Sequence, residues 1–237
     1  MARIDDVFVS GTFGNIVFYR RMGKACARMK RTGIKQTAAT KKRGVNFGVA
    51  ARAGKALRIG LVKAMPNPKD RSMQSRFSGA IAKWLAVSNI SDIKPSSSLL
   101  YVNSFPFTAE DTLQFSFRVP YRLTITETGT IINLDAFIPA KNLRAPAGTV
   151  SVQLIIATAG CELANGRGAG SAFRIIDIPY NREEIPAMTI DLNVPGKKGN
   201  MILTAARLIY IGWKNGYPFI IEKKGYNSAG VINAAYC

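Results

Sequence analysis

The sequence predicts an α+β protein that is mostly β. Its expected parts are a basic N-terminal β-hairpin, an αα-hairpin, and an antiparallel β-sandwich of immunoglobulin-like or jelly-roll kind. Three observations carry that prediction. The charge is uneven: residues 1–90 hold 19 Lys/Arg against 3 Asp, while residues 91–237 hold 14 Lys/Arg against 11 Asp/Glu. Apolar residues recur at helical spacing between Phe47 and Leu85. From Leu99 onward, short runs rich in Val, Ile, Thr, Phe and Tyr alternate with turn residues and show no helical pattern.

The first part, 1–90, reads as follows. Val7 to Ser10 and Phe13 to Arg20 are strand-like and punctuated by Gly11 and Gly14-Asn15. Met22-Gly23-Lys24 turns the chain back into Ala25 to Met29. The hairpin, or small meander, gathers Arg20, Arg21, Lys24, Arg28, Lys30 and Arg31 at one end. Thr37 then caps a helix running to about Ala64, with Phe47, Ala51, Gly54, Leu57 and Leu61 as its apolar stripe. Gly44, Gly48, Gly54 and Gly60 each cost that helix about 1 kcal/mol relative to alanine, unless they serve close packing. Pro66-Asn67-Pro68 ends it. Asp70 or Ser72 starts a second helix with Phe77, Ile81, Trp84 and Leu85 on one face. A turn-rich linker is expected at 91–98, Ser-Asp-Ile-Lys-Pro-Ser-Ser-Ser.

The remainder, 99–237, is the expected sandwich. Candidate strands are 99–104, 112–118, 121–127, 130–138, 149–159, 172–178, 187–193, 201–212, 217–223 and 230–236. Leu113, Phe115, Phe117 and Val119 alternate with polar residues as a half-buried strand would. Thr128-Gly129 and Asn215-Gly216 mark tight hairpins. Asn165 to Ser171, with Gly166, Gly168 and Gly170, reads as a sandwich loop and not as a phosphate cradle, because a strand follows it instead of a helix. Lys197-Lys198 reads as a turn.

Composition restricts the chemistry. The chain has 237 residues, a formal charge of +19 and no histidine. The usual general base and every His-dependent triad are therefore missing. Cys26, Cys161 and Cys237 are odd in number and widely spaced, so they form neither a zinc motif nor a disulfide framework. Cys26 and Cys161 read as small buried hydrophobes. Glu110-Asp111 and Glu183-Glu184 read as solvated loop pairs. An enzyme would have to draw on Asp135, Asp177 and Asp191, provided that two of them meet in one pocket. No cofactor or metal is expected. No apolar run reaches the length of a membrane span, and no secretory signal opens the chain, so the expected place is the cytoplasm or a released particle.

The strongest signal is the basic cluster. Arg20, Arg21, Lys24, Arg28, Lys30, Arg31, Lys41, Lys42 and Arg43 are the candidate polyanion-binding residues. Such side chains neutralise phosphates, and released counterions drive the binding without sequence preference. Phe18, Tyr19 and Trp84 are the candidate stacking surfaces. The alternative is a solvated surface, or one that meets acidic groups on another subunit.

Gly11, Gly14-Asn15, Val17, Tyr19, Gly23-Lys24, Arg28, Thr37, Arg43 and Phe47 together form a pattern. Over about residues 10 to 60 it resembles a group of proteins from Bacteroidetes-type bacteria that has no assigned activity. The chain departs from it at Thr40, where glutamine is expected, and at Arg43, one residue early relative to Phe47. The resemblance implies a bacterial source and a non-enzymatic role, and it brings no catalytic residues. In design alone, a basic arm ahead of an all-β domain is similar to many viral coat proteins. The expected function is thus a non-catalytic structural or assembly protein, a homo-oligomer whose basic region contacts a neighbour or a polyanion. A nucleic-acid-binding protein is the alternative, and an enzyme with a carboxylate site or a carbohydrate-binding module ranks below both. The strand 201–212 and the N-terminal arm are the expected places for strand addition between subunits.

Overall fold

Alternation along one long strand shows how the core is built. In the computed structural model, which describes residues 3–5, 8–30, 33, 36–66, 72–88, 99–108 and 112–237, β7 spans Ser151–Glu162. Its residues Val152, Leu154 and Ile156 enter one hydrophobic core, and Ala157, Ala159 and Cys161 enter another. Successive side chains point to opposite faces of a sheet, so the strand has a covered face on each side. This is why its sequence reads as a nearly continuous apolar run.

The chain divides into two compact units, residues 1–42 and 43–237. The first contains an antiparallel meander of β1 (Arg3–Asp5), β2 (Phe8–Phe13), β3 (Ile16–Arg21) and β4 (Lys24–Met29), in the order β1-β2-β3-β4.

The second unit is a layered α+β structure. β7 pairs with β8 (Arg167–Pro179) and with β10 (Asn200–Lys214). β10 also pairs with β11 (Tyr217–Ile220) along one part and β12 (Ala229–Tyr236) along another. A smaller sheet, β5 (Tyr121–Ile125), β6 (Thr130–Leu134) and β9 (Met188–Leu192), contributes Ile132, Leu134, Ile190 and Leu192 to the core that Val152, Leu154, Ala206, Leu208 and Tyr210 share. On the other side, α1 (Ala38–Gly60) and α2 (Met73–Ser88) bring Leu57, Leu61, Phe77, Ile81, Trp84 and Leu85 against Ala157, Ala159, Met201, Leu203 and Val231. The two strands β7 and β10 meet at a buried hydroxyl pair, Thr158 and Thr204, whose Oγ1 atoms are 2.9 Å apart.

The helices form where their caps and stripes place them. Thr37 Oγ1 accepts the backbone N–H of Thr40 at 3.2 Å, the N-cap arrangement expected from sequence. Ser72 directly precedes α2, and its carbonyl accepts the N–H of Arg76; Asp70 lies outside the described residues, as do Asn67 and Pro68. The stripe of α2 is as expected, with Phe77, Ile81, Trp84 and Leu85 buried. That of α1 is shifted: Ala50, Ala53, Gly54, Leu57 and Leu61 are buried, while Phe47 is 56 % exposed. A short 3-10 turn, Val62–Ala64, follows α1, and the half-buried Arg207 of β10 donates from Nη1 to Met65 O at 2.9 Å.

Two glycines of α1 allow that packing. A Cβ on Gly54 would sit 3.2 Å from Ser78 Oγ of α2, and one on Gly60 only 2.6 Å from Ala159 Cβ of β7. At Gly48 a Cβ would meet just Arg52 Nη1, at 3.8 Å. The Gly60→Val variant is therefore expected to lose about 1–3 kcal/mol through overpacking. Gly48→Ala should instead gain up to about 1 kcal/mol of helix propensity. Urea midpoints of the two variants check both signs, and a neutral Gly60→Val would refute the close contact.

Several expected elements differ. The helix pair and the strands share one core, so the units divide at Lys42/Arg43 and not at 91–98, a stretch that lies outside the described residues. The stretch 99–104 is a turn, and the residues after it close over β12, through Phe107 N to Ala229 O at 3.0 Å and Val231 N to Phe105 O at 2.9 Å. The stretch 112–118 contains a short helix, α3 (Leu113–Ser116), which leaves Phe115 exposed and Leu113 and Phe117 buried. A second short helix, α4 (Pro139–Asn142), follows β6, where the sequence shows no helical pattern. Arg167 to Ser171 is strand and not loop. The expected hairpin turns at Thr128-Gly129 and Asn215-Gly216 do form, the latter with φ of 51° and 82°.

Candidate polyanion-binding face

The meander sorts its side chains by face. β3 and β4 pair as Val17↔Arg28, Tyr19↔Cys26 and Arg21↔Lys24 on one side, and as Ile16↔Met29, Phe18↔Ala27 and Arg20↔Ala25 on the other. Residues directly opposite one another share a face. Extending the register through Thr12↔Val17 and Phe13↔Ile16 gives one basic side with Thr12, Tyr19, Arg21, Lys24 and Arg28. The other side is apolar, with Phe13, Ile16, Phe18 and Met29, and carries Arg20.

The turns are built to hold this register. Met22 and Gly23, at φ of 51° and 78°, form the two-residue link between β3 and β4. Both positions lie in the left-handed region, as the twist of a tight hairpin requires. Gly14, at φ 56°, serves the β2–β3 link. Lys30 N donates to Asn15 O at 2.6 Å and closes the end of the ladder. On the basic side the Arg28 guanidinium lies 5.9 Å from the centre of the Tyr19 ring. That contact orients the arginine and leaves the ring 37 % exposed.

The nine candidate residues do not form the single end-cluster expected from sequence. Arg21, Lys24 and Arg28 share one side of the meander, whereas Arg20 points to the other because it is one residue out of phase. Arg21 and Lys24 flank the turn, and Arg28 and Lys30 stand at the far end of β4. Lys41, Lys42 and Arg43 are exposed in the first two turns of α1. Arg31 lies outside the described residues. Of the stacking candidates, Tyr19 is on the basic side and Phe18 opposite it. Trp84 is buried in the helix core, 5.9 Å from the Tyr236 ring, and offers no surface.

The carboxylates are dispersed. Asp177 is exposed on β8, where its Oδ1 accepts from Gln153 Nε2 at 2.9 Å. Asp191 is exposed on β9, opposite Ile131. Asp135 follows β6, and its N–H reaches Pro120 O. Glu183 accepts from Asn181 Nδ2 at 3.1 Å, and Glu110-Asp111 lies outside the described residues. Two shallow concavities, one around Arg76, Lys83 and Tyr101 and one around Ser104, Gln114 and Tyr121, contain no carboxylate in their walls. Among the described residues no cluster of three Cys, Asp or Glu could hold a metal, and no helix is long and apolar enough to cross a membrane.

All three cysteines are free. Burial, with Glu162 beside it, pushes the Cys161 thiol up to about 11. Cys26, which was expected to be buried, is half-exposed on the basic side of the meander, opposite Tyr19. A maleimide at pH 8 is therefore expected to modify Cys26 readily and Cys161 only after unfolding, as peptide mass mapping can read. Because the folded thiol holds its proton through pH 9 while the unfolded one releases it, Cys161 contributes stability that falls between about pH 9 and 11.

Fold and site together define a sheet-rich α+β protein that carries a two-sided, basic and apolar, four-stranded sheet at its N-terminal end. Neither a family model nor a curated protein matches the chain.

Proposed function

We propose that the protein is a non-catalytic assembly component whose N-terminal sheet holds a polyanion. The carrying observation is the sorting of the meander, with Arg21, Lys24 and Arg28 on one side and Phe13, Ile16 and Met29 on the other. Lys and Arg aligned on one face of a sheet can meet successive phosphates, because strands lie about 4.8 Å apart and next-nearest residues about 6.6 Å apart. The start of α1 supports the same reading. Lys41, Lys42 and Arg43 sit near the positive end of a helix that has no acid in its first turn, an arrangement that costs a few tenths of a kcal/mol until an anion offsets it.

Nucleic acid is the polyanion that best suits this face, since Tyr19 beside Arg28 provides a ring on which an unpaired base can stack. The second reading, a nucleic-acid-binding module proper, rests on that contact. The test is the affinity for a labelled single strand and a labelled duplex over a salt series. Binding whose logarithm falls steeply with log salt supports a phosphate interface, and a flat dependence rejects it.

A further inference from the structure

We propose that the outer edge of β8 is a subunit contact, and that it pairs antiparallel with β8 of a second copy across a twofold axis. This rests on the assembly reading and names its interface. The expected site of strand addition, 201–212, has no edge to offer: β10 is paired with β7 on one side and with β11 and β12 on the other. β8 stands at the end of the strand order, and among the described residues its ladder runs to β7 alone.

The two sides of the large sheet are finished differently. On the far side, the start of β12, Ala229 to Val231, is covered by the bonds of Phe105 and Phe107, and β11 is four residues long and contains Pro218. Short strands, proline and covering loops are how edges are kept from pairing. β8 is 13 residues long. Its first part is interrupted by a bulge opposite Ala159 to Cys161, where Gly170 takes φ 109°. From Ser171 to Ile178 the pairing with β7 is regular, and among the described residues no strand, proline or covering loop protects its outer edge.

This stretch suits a second copy of itself. Antiparallel pairing about an axis normal to the sheet keeps each face on its own side, so like meets like. Phe173 is 43 % exposed and Ile175 49 % exposed on the same side as Ile155. The axis would set these apolar side chains beside their own copies. The charges of the stretch itself, Arg174 and Asp177, cancel, and Lys63 Nζ lies 5.7 Å from the centre of the Phe173 ring, so two copies meet less repulsion here than the basic cluster of the N-terminal third would impose. Such an axis beside Arg174 sets Ser171 opposite Asp177 and Phe173 opposite Ile175 of the second copy, and these seven paired residues, about 23 Å of strand with their flanking side chains, would cover roughly 1,000 Å² in total, the lower bound of a specific interface.

The test is light scattering on the full chain and on Ile175→Lys over a range of concentrations. The wild type is expected at twice the mass of one chain. The lysine on the edge should weaken that association at least tenfold, the loss of one buried isoleucine. An oligomer that Ile175→Lys leaves intact overturns the β8 contact, in favour of another face such as the apolar side of the meander, and keeps the assembly reading. A wild type at one chain mass throughout overturns both. Should Ile175→Lys lose the wild-type circular dichroism, hydrogen exchange of the wild type decides. The amides of residues 171–178 must exchange at least tenfold more slowly in concentrated than in dilute solution, and equal exchange overturns the proposal.

Discussion

Replacing Arg21, Lys24 and Arg28 together by glutamine is expected to lower nucleic-acid affinity about a hundredfold at 0.15 M salt. These are the cations that one side of the meander presents together. Each phosphate contact contributes about 0.9 to the slope of log affinity against log salt, so three should lower the slope by about 3 and the affinity at 0.15 M by roughly five- to sixfold each. The loss should be the same for unrelated sequences, since phosphate contacts carry no base information. Arg20→Gln, one residue away but on the opposite side, should change the affinity by less than twofold. Tyr19→Ala should cost a single strand about 1–3 kcal/mol and a duplex little, because only unpaired bases can stack on the ring. Equal losses from Arg20→Gln and Arg21→Gln would mean that the face does not act as a face.

Deleting residues 1–98 is expected to abolish folding, and deleting 1–42 is not. The helix pair buries Leu57, Leu61, Phe77, Ile81, Trp84 and Leu85 against the large sheet. Each such side chain contributes about 1.5–3 kcal/mol, and together they amount to on the order of 10 kcal/mol, comparable with the whole stability of a domain. Without them Ala157, Ala159, Met201, Leu203 and Val231 would face water. Residues 43–237 should melt cooperatively, with near-ultraviolet circular dichroism close to that of the full chain. Residues 99–237 should show neither property. A cooperative melt of the shorter fragment would restore a boundary at 91–98.

What could be read from sequence follows from which forces are local. β5 through β12 announced themselves through β-branched runs and turn residues, and α2 through the spacing of Phe77, Ile81, Trp84 and Leu85. The meander's turns were legible because glycine is needed where φ is positive. Gly54, Leu57 and Leu61 of the α1 stripe are buried as expected, and the stripe differs at its start, where close packing selects Ala50 and Ala53 over the larger Phe47. Small residues carry almost no hydropathy signal. The segments 99–104 and 112–118 alternate as strands do, but nearby partners turned them into a loop and a helix. The boundary was missed for a related reason. A change of charge marks a change of surface, and a shared core leaves no mark in the order of residues. For the candidate site, the residue types were legible and their grouping was not. Arg20 and Arg21 are neighbours in sequence and lie on opposite faces, a fact that depends on register. The free edge of β8 depends on strand order, which no local pattern encodes.

The Thr158–Thr204 pair bears on how the chain finds its fold. β7 and β10 are long, rich in Ala, Ile and Leu, and buried along most of their length, so several slipped pairings would bury nearly as much apolar surface as the native one. Apolar strands with so few charges are also prone to pair with the wrong molecule. A slip of two residues keeps every side chain on its proper face, yet it would set Thr158 opposite Ile202 or Ala206 and strand both hydroxyls. Each stranded hydroxyl costs about 1–3 kcal/mol. Two threonines of modest stabilising value thus act as a proofreading mark, penalising the competing alignments more than they strengthen the correct one.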